Sequence, residues 1–236
     1  MKKVLKIILG GLVFLTLPSL LFFAFFYFKY HENLPEGTSG NQADTLAYNM
    51  LNALNYEAYK NTDMIEWTFK NRRHYIWNKS KNTCEVLWKS YRVDLNLANP
   101  TKSTVFIHGF RNESDISHDL IKKALRYFNN DSFWLVAPYK VFDKGTERKL
   151  VKIANKDALL VTYSSGGTTP GDSYLWLLDD NDKPYAFKMW TSILPIDGLE
   201  ASWDNWITTN TGAMLPTFHK FLFLGLEITH IKTSSN

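Results

Sequence analysis

The sequence predicts an α+β protein in which one curved antiparallel sheet dominates, preceded by a single apolar helix that spans a membrane. Three observations lead to this prediction. A charge-free apolar run opens the chain, two later segments repeat apolar residues at helical spacing, and short aromatic and β-branched segments fill most of the remainder. Aromatic residues make up 15% of the chain, and such side chains suit the half-buried surface of a sheet.

The apolar N-terminal run has no charged residue between Ile7 and Phe28, and a membrane-spanning helix needs about 20 such residues. A cleaved signal peptide would have a shorter apolar region, of about 7–15 residues, followed by small residues at the cleavage site. Here the run ends in aromatic residues and Lys29. We therefore expect an uncleaved signal-anchor over residues 1–30, a linker over residues 31–42, and one globular domain over residues 43–236.

The charges around this helix predict its orientation. Lys2, Lys3 and Lys6 precede it and are expected to stay in the cytoplasm, so the domain lies outside the cytoplasm. The net charge of +4 is small, and the sequence has no dense basic patch. We therefore expect no nucleic-acid partner. Cys84 is the only cysteine, which excludes an intrachain disulfide and a cysteine zinc site built within one chain.

The domain begins with a predicted helix from Asn41 to Lys60, and a second predicted helix runs from Ile116 to Phe128. A short, strongly apolar segment, 133–138, follows the second helix. Segments rich in aromatic and branched residues predict strands at 65–69, 75–77, 86–88, 93–97, 104–107, 149–153, 158–163, 174–178, 185–193, 203–208 and 222–231. Residues 179–184 are expected to form the hairpin turn between two of these strands.

One pattern resembles a serine hydrolase. His108 and Gly109 follow an apolar strand, as in the oxyanion turn of α/β-hydrolases, and Ser164, Asp172 or Asp197, and His219 follow in the order of that triad. However, the residues around Ser164 lack the first glycine of the nucleophile elbow, and the next segment reads as a loop and then a strand. A strand end and turn is the simpler interpretation of the His-Gly pair.

Other candidate sites also have simpler explanations. Asp179, Asp180 and Asp182 cluster, but they lie in a predicted turn without the regular ligand spacing of a calcium site. The histidines are scattered and form no metal-binding motif, so neither a metal nor another cofactor is expected. The glycine-rich loop from Gly166 to Gly171 joins two strands and opens no helix, which favours a hairpin connection over a phosphate site.

Tryptophan is the remaining candidate for function. On one face of a curved sheet the tryptophans would line an apolar cavity for a lipid-like ligand. The alternative is that they form an ordinary core. The predicted cavity-lining residues are Trp67, Trp77, Trp88, Trp134, Trp176, Trp190, Trp203 and Trp206.

Several segments resemble the outer-membrane lipoprotein carrier and receptor superfamily. The strand 174–179, its proline-containing turn and the strand 186–190 resemble a recurring hairpin of that group, and 211–216 is similar to the turn that follows it. The resemblance extends over residues 41 to 233. It implies an incomplete β-barrel closed by helices, a cavity that accepts acyl chains, and a bacterial envelope location. The chain differs from the soluble carriers in its anchor, and from the lipidated receptors in having no lipobox cysteine.

These observations lead to a non-catalytic, membrane-anchored, extracytoplasmic protein of the bacterial inner membrane that binds a lipid or another hydrophobic ligand. The first alternative is a structural or protein-interaction module of the cell envelope with a filled core. The second is a serine hydrolase.

Overall fold

The computed structural model describes residues 2–165 and 169–235. Its helices are α1 (Lys2–Tyr30), α2 (Asn41–Ala53), α3 (Tyr56–Lys60) and α4 (Ile116–Val136), and short 3-10 helices occupy Pro100–Lys102 and Ala137–Lys140. The first strands are β1 (Met64–Phe69), β2 (Arg73–Asn78), β3 (Thr83–Trp88), β4 (Tyr91–Asn96), β5 (Thr104–Ile107) and β6 (Phe110–Asn112). The later strands are β7 (Thr146–Ile153), β8 (Lys156–Tyr163), β9 (Ser173–Leu178), β10 (Pro184–Trp190), β11 (Leu199–Ser202), β12 (Asp204–Thr208), β13 (Met214–Phe221) and β14 (Leu224–Ser234).

Within these described residues the strands form one antiparallel sheet, in the order β6-β5-β4-β3-β2-β1-β14-β13-β11-β10-β9-β8-β7, with β12 paired to β13. The sheet is strongly curved but does not close. The predicted fold class, an α+β protein with an incomplete antiparallel barrel and one N-terminal apolar helix, is therefore confirmed. By length and composition α1 can cross a membrane. A helix of this kind at an N-terminus serves either as a membrane anchor or as a signal sequence.

One face of the sheet and helix α4 share the main core. Strand side chains alternate between the two faces, so every second residue of β1 to β4 is buried. Helix α4 packs against β4 and β5 on one side and against β13 on the other. Its Leu120, Ala124, Phe128 and Leu135 are buried at helical spacing. The helix therefore lies in the space that the curved sheet leaves between its two halves.

Both predicted helices of the domain differ in length from those observed. The first is divided because Asn55 adopts a left-handed conformation with φ of 56°, and asparagine tolerates this conformation well. The hydroxyl of Tyr139 donates to the carbonyl of Leu54 over 2.8 Å at the break. The second helix continues through the apolar segment as far as Val136, and Pro138 lies in the 3-10 helix that follows.

Three strands were not predicted, namely β6, β11 and β13. The expected turn at 211–216 is shorter than predicted. Gly212, with φ of 87°, donates to the carbonyl of Thr209 over 2.9 Å, and β13 begins directly after this turn at Met214. The predicted hairpin connection after Ser164 includes Gly166 and Gly167, which lie outside the described residues.

Residues 31–40, which belong to the predicted linker 31–42, are bound to the outer face of the sheet, and the last two residues of that linker belong to α2. The carboxylate of Glu32 accepts from Lys188 Nζ over 2.6 Å, and its carbonyl accepts from Trp190 Nε1 over 2.8 Å. Thr38 pairs with Leu150 of β7 through two backbone hydrogen bonds. We call residues 31–40 the strap, because they connect β10 to β7 across the outer face. The last turns of α1 also contact the main core, through Phe26, Tyr27 and Tyr30.

The strap begins at one particular end of the sheet, which we call the anchor end. Glu32 N donates to the carbonyl of Asp197 over 3.0 Å, in the connection between β10 and β11. The antiparallel registers place further connections at the same end, because each joins the end of one strand to the start of its neighbour or, before β7, leads into a strand that starts there. These connections are 70–72, 89–90, 108–109, 143–145, 164–165 with 169–172, 191–198 and 222–223.

Candidate functional site

A cavity of about 770 Å³ lies between α4 and the anchor end of the sheet. This volume is within the range of about 300–1,000 Å³ that is typical of small-molecule sites. Its apolar lining consists of Trp77, Phe128, Phe133, Trp134, Ala137, Tyr174, Met189, Ile193, Leu194 and Phe221. The site is therefore largely hydrophobic.

Helix α4 and the strands place these side chains by simple periodicity. Phe133 and Trp134 lie in the last turn of α4, where the helix has passed the buried Asp131. Tyr174 and Met189 are paired across β9 and β10, and both point to the face that α4 covers. The ring of Phe133 lies 4.6 Å from that of Tyr174, so helix and sheet meet through aromatic contacts.

Polar side chains line the cavity near the connection that follows β8. Asp172 is only 4% exposed. Its Oδ1 accepts from the backbone N–H of Ser192 over 3.1 Å, and its Oδ2 accepts from the hydroxyls of Thr169 and Tyr174. The side chain of Asp172 thus joins the start of β9 to the connection that follows β10. Asp172 is also one of the cavity-lining residues.

Two hydroxyls beside Asp172 have no hydrogen-bond partner among the described residues. They are Tyr163 Oη and Thr191 Oγ1, and both residues line the cavity. Burial, and then the charge of Asp143, raise the pKa of Tyr163 well above its ordinary value, so this hydroxyl stays protonated and can donate. An unsatisfied buried hydroxyl costs about 1–3 kcal/mol, which a polar ligand group bound there would recover.

The mouth of the cavity is basic. Arg126 and Lys144 are exposed, and Lys140 is half-buried and pairs with Asp143 over 3.1 Å. Ile193 is also exposed at this mouth. The cavity thus combines an apolar interior, a buried polar group of side chains and a charged entrance, which suits an amphipathic ligand.

The predicted tryptophans separate into several groups. Trp77 and Trp134 line the cavity. Trp67, Trp176 and Trp203 are fully buried within the core, and Trp88 packs there beside Tyr127. The remaining two are Trp190, which is bound to the strap on the outer face, and Trp206, which stacks on Trp203 at 5.8 Å. Whether any of them contacts a ligand stays a prediction.

The residues of the hydrolase pattern have ordinary structural roles. Ser164 is exposed, and its Oγ donates to the carbonyl of Gly145 over 2.8 Å. His219 is fully buried, and its Nδ1 donates to the carbonyl of Ser202 over 2.8 Å. The next described element after β8 is its antiparallel neighbour β9, whereas a nucleophile elbow requires a helix. This arrangement gives the hydrolase alternative no support.

The aspartates in the turn between β9 and β10 stabilise the turn and pair with a surface lysine. Asp179 Oδ1 accepts from the backbone N–H groups of Asn181 and Lys183, over 2.8 and 3.0 Å. Asp180 pairs with Lys156 across the surface. Among residues 2–165 and 169–235, no three histidine, cysteine or acidic side chains lie close enough together to hold a metal ion.

Sequence reasoning missed the most specific part of this site. The sequence patterns include Asp172 only as the acid of the hydrolase triad, and they single out neither Tyr163 nor Thr191. One signal was available, since the connection 191–198 is longer than a tight hairpin turn and is rich in apolar residues.

Comparison with known proteins leaves the family open. No family model matches the sequence, and no curated protein matches it. The fold is similar to the crystal structure of a DUF1329 family protein from Desulfovibrio piger, with a TM-score of 0.43 and 7% identity. The similarity covers 83% of this chain and 94% of that chain.

Proposed function

We propose that this protein is a membrane-anchored, non-catalytic binding protein for a lipid or another hydrophobic ligand. The observation that carries the proposal is the cavity of about 770 Å³ between α4 and the sheet, with its aromatic lining. Such a cavity offers an acyl chain the apolar surroundings that it lacks in water. Burying each methylene contributes about 0.8 kcal/mol, so a chain of ordinary length supplies enough free energy for binding without any chemistry.

The polar side chains at the cavity's inner wall favour a ligand with a polar head. Tyr163 and Thr191 provide hydroxyls that have no hydrogen-bond partner among the described residues. Asp172 provides a carboxyl group. A head group that accepts from the two hydroxyls would satisfy both, and a donor on the same head group would add a hydrogen bond to the carboxyl group of Asp172. Lys144 and Arg126 at the mouth would attract any negative charge on the same molecule.

The apolar helix supports an envelope location. If α1 stays in the membrane as an anchor, Lys2, Lys3 and Lys6 remain in the cytoplasm and the domain stands on the opposite side. We propose the bacterial inner membrane as its location and a lipoprotein carrier-like relationship for its domain. A protein that stays in the membrane would receive, hold or present a ligand there, and an envelope protein would be its partner in transfer.

This proposal is tested by measuring the lipid that stays bound to the full chain during purification. Native mass spectrometry is expected to find a lipid on the gently solubilised wild-type protein. Thr191→Phe, which puts a large side chain on the cavity wall beside Asp172, should lose most of it. Thr208→Phe makes the same change on exposed β12 and should retain it. Circular dichroism and thermal unfolding check that both variants are folded. Equal lipid content in both folded variants, or a wild-type protein that takes up no added fatty acid, would refute the proposal.

A further inference from the structure

The three most exposed large apolar side chains in the described part of the domain all lie where two strands are connected. Among the described residues after α1, the most exposed large hydrophobic side chains are Phe110 at 79%, Phe223 at 78% and Ile193 at 66%. Each lies in or beside the connection between two neighbouring strands, and Leu224, 44% exposed, follows Phe223 directly. Single exposed hydrophobic residues are common, but three of them at the same end of one sheet require an explanation.

The strand registers place all of these residues at the anchor end. Ile107 pairs with Phe110, and Phe221 pairs with Leu224, so both hairpin turns point the same way as the connection 191–198 that carries Ile193. Ala201 pairs with Phe221, which places Phe223 level with Leu199 and Gly198. Gly198 lies against Glu32, where a Cβ atom would be 2.6 Å from that of Glu32. These apolar tips therefore share an end of the sheet with the end of α1.

The length of α1 determines how far the anchor end lies from the membrane that α1 would cross. A hydrocarbon core about 30 Å thick takes about 20 helical residues at about 1.5 Å each, so a span that begins at Ile7 ends near Phe26. Phe26, Tyr27 and Tyr30 already pack against the core of the domain. Because the strap that follows is bound to the sheet, the domain cannot move away on a flexible tether. The anchor end must lie at the level of the lipid head groups.

The charges at this end also suit a lipid surface. Lys70 and Arg72 occupy the turn between β1 and β2, Lys89 occupies the turn between β3 and β4, and Lys144 is exposed before β7. Basic side chains near a membrane are attracted to anionic lipids by about 1 kcal/mol each. Aromatic and aliphatic tips surrounded by basic residues are the composition of surfaces that enter the membrane interface.

We propose that the anchor end of the domain docks onto the bilayer that α1 crosses, with Ile193 and Phe223 immersed among the lipid head groups. The mouth of the cavity, which includes Ile193, Leu194 and Phe221, then faces lipid instead of bulk water. This inference rests on the proposed function in one respect, since it takes α1 as a retained anchor. It adds the route of the ligand, which would pass between bilayer and cavity without crossing water.

Site-specific fluorescence in nanodiscs tests this docking. Single cysteines replace Ile193, Phe223 or, as a control at the opposite end, Ile153, in the full chain. Each carries an environment-sensitive fluorophore. The native Cys84 is 1% exposed, and burial raises the pKa of its thiol, so it is a poor target for the label. Unsubstituted protein measures the labelling that remains. The nanodiscs contain phosphatidylcholine and phosphatidylglycerol.

Lipid-attached nitroxides are expected to quench the labels at 193 and 223 several-fold more than the label at 153, whereas aqueous iodide should show the opposite order. Equal iodide quenching at the three positions would overturn the docking proposal. Protection in native membranes but not in nanodiscs would assign the surface to a protein partner and would also overturn it. Neither result affects the lipid content measured by native mass spectrometry, so a failure of docking is distinguishable from a failure of the proposed function.

Discussion

His219 illustrates how burial sets the behaviour of a single residue. Its imidazole lies edge-on against Trp203, with the ring centroids 4.6 Å apart, and beside Trp134 at 5.2 Å. Burial, which penalises the charged ring, lowers its pKa from 6.5 to about 4, and its hydrogen bond to Ser202 opposes this shift only in part. The folded protein therefore keeps His219 neutral at physiological pH.

This shift predicts a loss of stability in mild acid. Below pH 6.5 the unfolded chain binds a proton at His219 that the folded chain does not take up until the pH approaches 4, so stability falls across this interval. The full shift corresponds to about 3 kcal/mol. Urea unfolding of the full chain between pH 4 and 7 measures it. His219→Gln should reduce the slope, whereas His118→Gln, on the exposed face of α4, should leave it unchanged.

At the scale of elements, one buried ion pair fastens α4 to β2. Asp131 is completely buried, and it accepts from Arg73 Nε over 2.5 Å and Nη2 over 3.0 Å, and from the hydroxyl of Tyr75 over 2.5 Å. Removing Asp131 leaves the Tyr75 hydroxyl buried without a partner and the mostly buried Arg73 without its counter-ion. The position of Phe133 and Trp134 in the cavity depends on this attachment, because they follow Asp131 in the same helix.

Asp131→Ala is therefore expected to destabilise the protein by about 3–5 kcal/mol, as is typical when a buried ion pair is broken. The matched control is Glu113→Ala, which breaks an exposed pair with Arg111 and should cost less than about 1 kcal/mol. Chemical unfolding followed by tryptophan fluorescence measures both. Similar unfolding midpoints for the two variants would show that α4 is held mainly by its apolar face.

The same helix shows where sequence reasoning reached its limit for single elements. Apolar spacing predicted the first half of α4, but Asp131 interrupts that spacing, and its buried partner on β2 cannot be recognised from local sequence. Strand β13 was missed for a related reason. Its Pro216 and His219 are polar or strand-breaking by type, yet tertiary contacts bury both. The alternating strands β1 to β4 were predicted because one of their faces is solvated and their pattern is regular.

For the whole molecule, the sequence predicted the sheet, its curvature and the apolar helix, but not which residues line the cavity. Tryptophans were expected to line it, yet only Trp77 and Trp134 do so, since filling or leaving a space depends on how α4 crosses the sheet. The sequence also did not predict that the strap is bound to the sheet. Gly37 is required there by close approach alone, because a Cβ atom would meet the carbonyl oxygen of Leu150 at 2.8 Å, a contact between residues distant in sequence.

In the account proposed above, the domain is anchored and strapped, and it holds its cavity mouth at the membrane surface. The position of a lipid chain inside the cavity tests this account most directly. Full-length protein in nanodiscs would be irradiated with a fatty acid that carries a photoreactive diazirine in its chain, and the adducts mapped by mass spectrometry. The account predicts adducts on Phe133, Trp134, Tyr174 and Met189 that excess unlabelled fatty acid abolishes. Adducts confined to α1 and the exposed tips, with none in the cavity, would contradict it.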